Sequence, residues 1–163
     1  MTMMELAKAF LAGRRFALVG VSRNPKDFSR MVLRELLKRG YDVVPVSPAL
    51  AASGAEVEGR RAVASLSGLS PAVGGAIFMT PPAHSGAAVQ EALAAGVRRI
   101  WLHRGGGPGA AGPEALAACR AAGVTPVTGL CPFMALPDAG WFHRMHALFR
   151  HEAGRHHQVE ARP

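Results

Sequence analysis

Residues 15–30 read RFALVGVSRNPKDFSR. An apolar, partly β-branched run over residues 16–19 has the length of a strand, and it breaks at Gly20, where the missing Cβ lets backbone approach a neighbour or a ligand closely. Ser22 and Asn24 follow with short polar side chains, and Pro25 suits a turn or a first helical position. A helix starting near Asp27 leaves its first amide groups unpaired, so its amino end favours an anion, with phosphate the natural occupant. The expected unit is strand, phosphate loop, helix. Of the three glycines in the dinucleotide fingerprint only Gly20 is present, with Ser22 in the second place. Taken alone, the stretch equally describes a strand-to-helix turn that binds nothing.

Working outward, residues 3–12 repeat apolar positions at helical spacing and end at Gly13, which suits a helix cap. Past the loop, Phe28, Val32 and Leu36 mark the inner face of a helix, while Arg30, Arg34 and Lys38 mark an opposite, wet stripe. Gly40 ends it. Residues 41–46 form a second strand running into Ser47-Pro48, where proline stops the ladder. Residues 49–59 are small and polar and read as a loop, followed by a short edge strand over residues 61–64. A buried strand over residues 75–80 stops at Pro81-Pro82, and an alanine-rich helix over residues 84–95 closes at Gly96. His84 at its start is read as a cap. Residues 99–102 make another strand, ending in His103-Arg104 and a glycine-rich loop. A helix over residues 113–122 and a last strand over residues 124–127 complete the series.

Strands alternating with helices of about ten residues predict an α/β fold, a doubly wound parallel sheet with helices on both faces. Ligands of such sheets sit beyond the carboxyl ends of the strands, where strand order reverses. The polar and glycine residues follow the strands here too: Gly20-Val21-Ser22, Ser47-Pro48, Thr80-Pro81-Pro82, His103-Arg104-Gly105 and Thr128-Gly129. They fall on one rim.

The chain has 163 residues, 49% of them hydrophobic, enough for one domain over residues 1–153 built on a core at residues 14–134. No apolar run has the length of a membrane span, and the amino-terminal residues do not follow the pattern of a signal peptide, so a soluble, cytoplasmic protein is expected. Cys119 and Cys131 are then expected as free thiols. The formal charge of +8 comes from sixteen arginines and three lysines. These occur as scattered pairs with no basic run interleaved with aromatics, which argues against a nucleic-acid surface. Trp141, Phe142, Met145, Leu148 and Phe149 share one face of an amphipathic helix expected over residues 137–153. That face needs cover from the core or from a second subunit, so homo-oligomerisation through it is one expectation. A disordered tail is expected over residues 154–163.

NAD sites commonly hold the ribose with a carboxylate at the end of the second strand. Here that strand ends at Ser47, and its one acid, Asp42, sits at the opposite end. A hydroxyl without a carboxylate, among cationic residues, suits a ribose that itself bears phosphate, as in NADP or coenzyme A. At this point the chain resembles the small single-domain CoA-binding proteins, Rossmann-like and related to the CoA-binding domain of the succinyl-CoA synthetase α subunit. The resemblance rests on ALVGVSRNPKDFSR, RGYDVVPVSP, GRRAVASLSGL, FMTPPAHSGAAVQEALAAGVRRIWL and GLCPFM, in that order. It implies that coenzyme A or an acyl-CoA lays its ADP portion over Gly20, Val21 and Ser22, with Arg23, Lys26 or Arg30 answering phosphate. It also implies that Ser47 and Pro48 border the nucleotide, and that Thr80, Pro81 and Pro82 border the adenine or the start of the pantetheine arm. Two departures stand out. Ser47 replaces an asparagine, and His103-Arg104-Gly105 stands where the family more often has Gln-Pro-Gly, which makes His103 a candidate phosphate anchor or acid at the mouth of the cleft.

The related synthetases phosphorylate a histidine in a second domain and grasp ATP with a third. This chain carries the binding half alone, so the expectation is a non-catalytic binding protein with no catalytic residue. The alternative is an NADP-dependent or acyl-CoA-handling enzyme using the same cleft through His103 or Cys131. Cys131 is either a partner for the CoA thiol in a mixed disulfide or a small buried hydrophobe. His143 and His146 lie near Cys131 in sequence but match no zinc spacing, and no metal site is expected.

Overall fold

The computed structural model describes residues 1–103 and 109–137. Its centre is a sheet of five parallel strands in the order β2-β1-β5-β6-β7. The strands are β1 (Arg15–Val19), β2 (Asp42–Val46), β5 (Gly75–Phe78), β6 (Arg99–Leu102) and β7 (Val127–Thr128). A two-stranded antiparallel hairpin, β3 (Glu56–Val57) with β4 (Arg60–Arg61), stands apart from it.

Alternation along the central strands divides the core into two layers. Phe16, Leu18, Ile77 and Trp101 face α1 (Met3–Ala12), α2 (Phe28–Lys38) and α6 (Pro132–Ala135), meeting Phe10, Leu11, Val32, Leu33, Leu36 and Phe133. Ala17, Val19, Ala76, Phe78, Ile100 and Leu102 face the other way, onto Val89 and Ala92 of α4 (Pro82–Ala94) and Ala115 and Cys119 of α5 (Pro113–Ala121). Aromatic rings tie the first layer together, with Phe10 edge-on to Trp101 at 5.5 Å between centroids. The doubly wound α/β fold expected from the alternation of elements is the fold observed.

Several local readings are corrected. Residues 49–59 are not one loop: α3 (Pro48–Ser53) begins there, capped by Ser47 with Pro48 in its first turn and Leu50 buried beneath it. Val57, also buried, then pins β3 to the core. The edge strand expected at residues 61–64 shrinks to β4 and a single parallel bridge between Val46 and Val63. Residues 124–127 do not form a strand as a block, because the Val124 amide still bonds the Cys119 carbonyl that closes α5. Pairing starts at Val127. The left-handed turn after α1 falls on Arg14 (φ 56°) and not on Gly13. Arg14 is held there by its bond to the Gly40 carbonyl (2.9 Å) and its stacking on Tyr41. Arg104, the aromatic helix expected over residues 137–153 and the tail over residues 154–163 lie outside the described residues, save Pro137.

Candidate functional site

The chain leaves β1 through α2 to reach β2 on one side, then crosses back to place β5 on the other. Strand order therefore reverses at β1, and the crevice of a doubly wound sheet opens beyond the carboxyl ends of β1 and β5. Gly20 and Thr80 face each other there. Gly20 takes φ +91°, and a Cβ on it would lie 3.0 Å from Thr80 Cγ2 and 3.1 Å from the Met79 carbonyl carbon. The Thr80 hydroxyl bonds Ser85 Oγ (2.7 Å), so its methyl is the group turned to Gly20.

The loop between β1 and α2 is braced from within. The Ser22 amide donates to Ser29 Oγ (2.9 Å), which in turn donates to Asp27 Oδ1 (2.5 Å). The Asn24 amide donates to Ser22 Oγ, and the Lys26 amide to Asn24 Oδ1. Ser22 and Asn24 thus use their side chains to hold the turn. The expected anion site at the amino end of α2 is also corrected, because Asp27 caps that helix and accepts the Ser29 amide at 2.8 Å. The chain's own carboxylate occupies it. Within this loop, the amides of Val21 and Arg23 have no acceptor among the described residues.

The basic residues separate into two kinds. Arg23 and Lys26 are exposed on the loop. Arg30, placed by sequence on a wet stripe, has a side chain only 11% exposed. Its Nε and Nη2 bond Glu58 Oε1 at 3.1 and 2.8 Å, and its Nη1 donates to the carbonyls of Ser22 (3.3 Å) and Arg23 (3.4 Å). Arg34 adds a third donor to the same Glu58 oxygen at 3.0 Å.

Around the rim, Ser47 is buried, its hydroxyl capping α3 and its amide bonded to the Val63 carbonyl (2.9 Å), while Pro48 beside it is exposed. Pro81 caps α4 and Pro82 opens it, which moves the helix start ahead of His84, so that His84 lies inside the first turn and caps nothing. His103 follows β6, 6% exposed, with its imidazole stacked on Phe28 at 5.4 Å between ring centroids. Phe28 meets Phe133 edge-on at 5.8 Å. Among the described residues Nδ1 of His103 has no hydrogen-bond partner, and desolvation pushes the imidazole pKa down to about 4. Burial likewise pushes the Cys131 thiol up to about 11, the amide of Phe133 opposing it. Among the described residues no three His, Cys, Asp or Glu side chains gather as a metal site, and no helix is long and apolar enough to cross a membrane.

Gly20, Val21, Ser22, Thr80 and His103 therefore share one rim with Ser47 and Pro48, and Arg30 lies beneath it. Phe28, Ser29 and Glu58 were not legible as site residues. Asp27-Phe28-Ser29 carried a capping signal that points to the Ser29 brace, whereas Glu58 lies in a stretch with no signal of its own.

Solved structures share this fold. A conserved hypothetical protein from Pyrococcus furiosus is 33% identical, over 72% of this chain and 95% of its own, with a TM-score of 0.63. A Thermus thermophilus protein is 32% identical over 78% of this chain and 90% of its own, with a TM-score of 0.65. A hypothetical protein from Pyrococcus horikoshii is 25% identical over 81% and 87%, with a TM-score of 0.70. Residues 14–137 match the family described as CoA binding domain, and the whole rim lies within that span. The chain belongs to the CoA binding domain family.

Proposed function

We propose that this protein binds coenzyme A or an acyl-CoA in the crevice at Gly20 and Thr80, without chemistry of its own. The observation that carries the reading is the β1 loop. Gly20 removes side-chain bulk at the reversal point, and the amides of Val21 and Arg23, with the exposed cations of Arg23 and Lys26, stand ready for a diphosphate. Pro48, Thr80, Pro81 and Pro82 line the path on which adenine and the pantetheine arm would lie. His103 and Cys131, the two candidate reactive groups, are held in unreactive states at neutral pH, an imidazole too weak as a base and a thiol kept protonated. That favours binding over acyl transfer. Two free thiols suit a reducing, cytoplasmic setting.

Thermal-shift titration with CoA, acetyl-CoA, NADP and NAD tests the proposal. A ligand held only by the folded state raises Tm by mass action, and a concentration of 100 times Kd stabilises by about 2.7 kcal/mol. The expected result is a shift with the CoA species alone. A shift with NADP and none with CoA overturns it.

A further inference from the structure

Arg30 was expected to meet phosphate, yet nearly all of its donors are turned inward. Its Nη1 holds the carbonyls of Ser22 and Arg23, and its other edge is locked on Glu58, a hairpin residue at φ 51°. A trans peptide points its C=O and N–H in opposite directions. Drawing the Ser22 carbonyl down to Arg30 therefore turns the Arg23 amide up, away from the guanidinium. The next peptide is drawn down in the same way, and its upward amide, on Asn24, is already taken by Ser22 Oγ at 3.1 Å. Arg23 is left with the open donor.

We propose that Arg30 and Glu58 are a positioning pair: Arg30 aims the Arg23 amide at the bound diphosphate without touching it, and Glu58 holds Arg30 in place for that task. The proposal rests on the CoA reading and deepens it. The hairpin β3-β4 thereby becomes part of the binding machinery, since Glu58 pairs with Arg30 and Arg34 of α2, and these two arginines hold the loop carbonyls of Ser22, Arg23 and Pro25. An arginine pair meant for phosphate, with Glu58 as a competing internal anion, would behave in the opposite way.

The test is isothermal titration of the full chain with CoA for wild type, E58A, E58Q, R30Q and the E58A/R30Q double variant. E58A is expected to weaken CoA about ten-fold, the scale of one charge-assisted hydrogen bond lost. R30Q should do the same, the double variant should be no weaker than R30Q, because both act through one peptide, and E58Q, which keeps an acceptor oxygen, should restore most of the affinity. R30Q should also leave the salt dependence of Kd at the wild-type slope, since no phosphate contact is removed. Should R30Q fail to fold, E58A and E58Q decide alone. Tighter or unchanged binding by E58A overturns the pairing while the CoA reading stands, and a wild type that binds no CoA overturns that reading and the pairing with it.

Discussion

Gly20→Ala adds one methyl at the point on which the crevice depends. The residue sits at φ +91°, where a side chain costs roughly 1–2 kcal/mol. The new Cβ would also press on Thr80 Cγ2 at 3.0 Å and on the Met79 carbonyl carbon and oxygen at 3.1 and 3.2 Å. Those backbone atoms cannot yield easily, because the Met79 amide is bonded to Val19 across the sheet at 2.9 Å. Overpacking of this kind adds about 1–3 kcal/mol, for a total of about 2–5 kcal/mol. In a domain of this size, that lowers Tm by about 4–20 °C. Thr80→Ser removes Cγ2 and keeps the hydroxyl bonded to Ser85, so in the G20A background it should recover less than half of the loss, leaving strain and the Met79 contact. Calorimetric melting of wild type, G20A, T80S and the double variant measures each part, and CoA titration of the same samples should show weakened binding. A G20A protein that melts within about 1 °C of wild type would refute the reasoning, for then neither the backbone angle nor the Met79 contact constrains this position.

His103, held near pKa 4 against an ordinary 6.5, refuses a proton that the unfolded chain accepts between those values. The contribution of His103 to stability is therefore full above about pH 6.5 and is lost as pH drops toward 4, by up to about 3 kcal/mol. H103Q should flatten that acid limb, and melting curves of the two proteins that fall in parallel from pH 7.5 to 4.5 would sink this account. For Cys131, a thiol near 11 should be alkylated at pH 8 about 100-fold more slowly than an unperturbed cysteine, as read by peptide mass spectrometry against time. Modification at an ordinary rate would restore the thiol as a candidate nucleophile.

Much of the rim was legible because a parallel sheet constrains its strands strongly. Gly20, Thr80 and His103 each follow an apolar run that can be buried only as an inner strand, so their gathering at one edge follows once the helices between them are recognised. The segment at residues 49–59 was not legible in this way. α3 spans only Pro48–Ser53, too short for a helical period to emerge, and β3 and β4 have two residues each.

Sequence by itself determined the alternation of elements, the doubly wound architecture and the rim of polar and glycine residues at the strands' carboxyl ends, since these follow from short-range pattern and the handedness of crossovers. What each polar side chain does there was decided by tertiary structure alone. Whether Arg30 reaches outward to an anion or inward to two carbonyls depends on Glu58, 28 residues away, and no local pattern carries that pairing. His103 is neutral because burial desolvates its imidazole, one face of it covered by Phe28 from another element, and Asp27 fills the helix end that composition had left open for an anion. Charge and hydrogen bonding act over a few ångströms in space, so the sequence names the groups and the fold decides which of them meet.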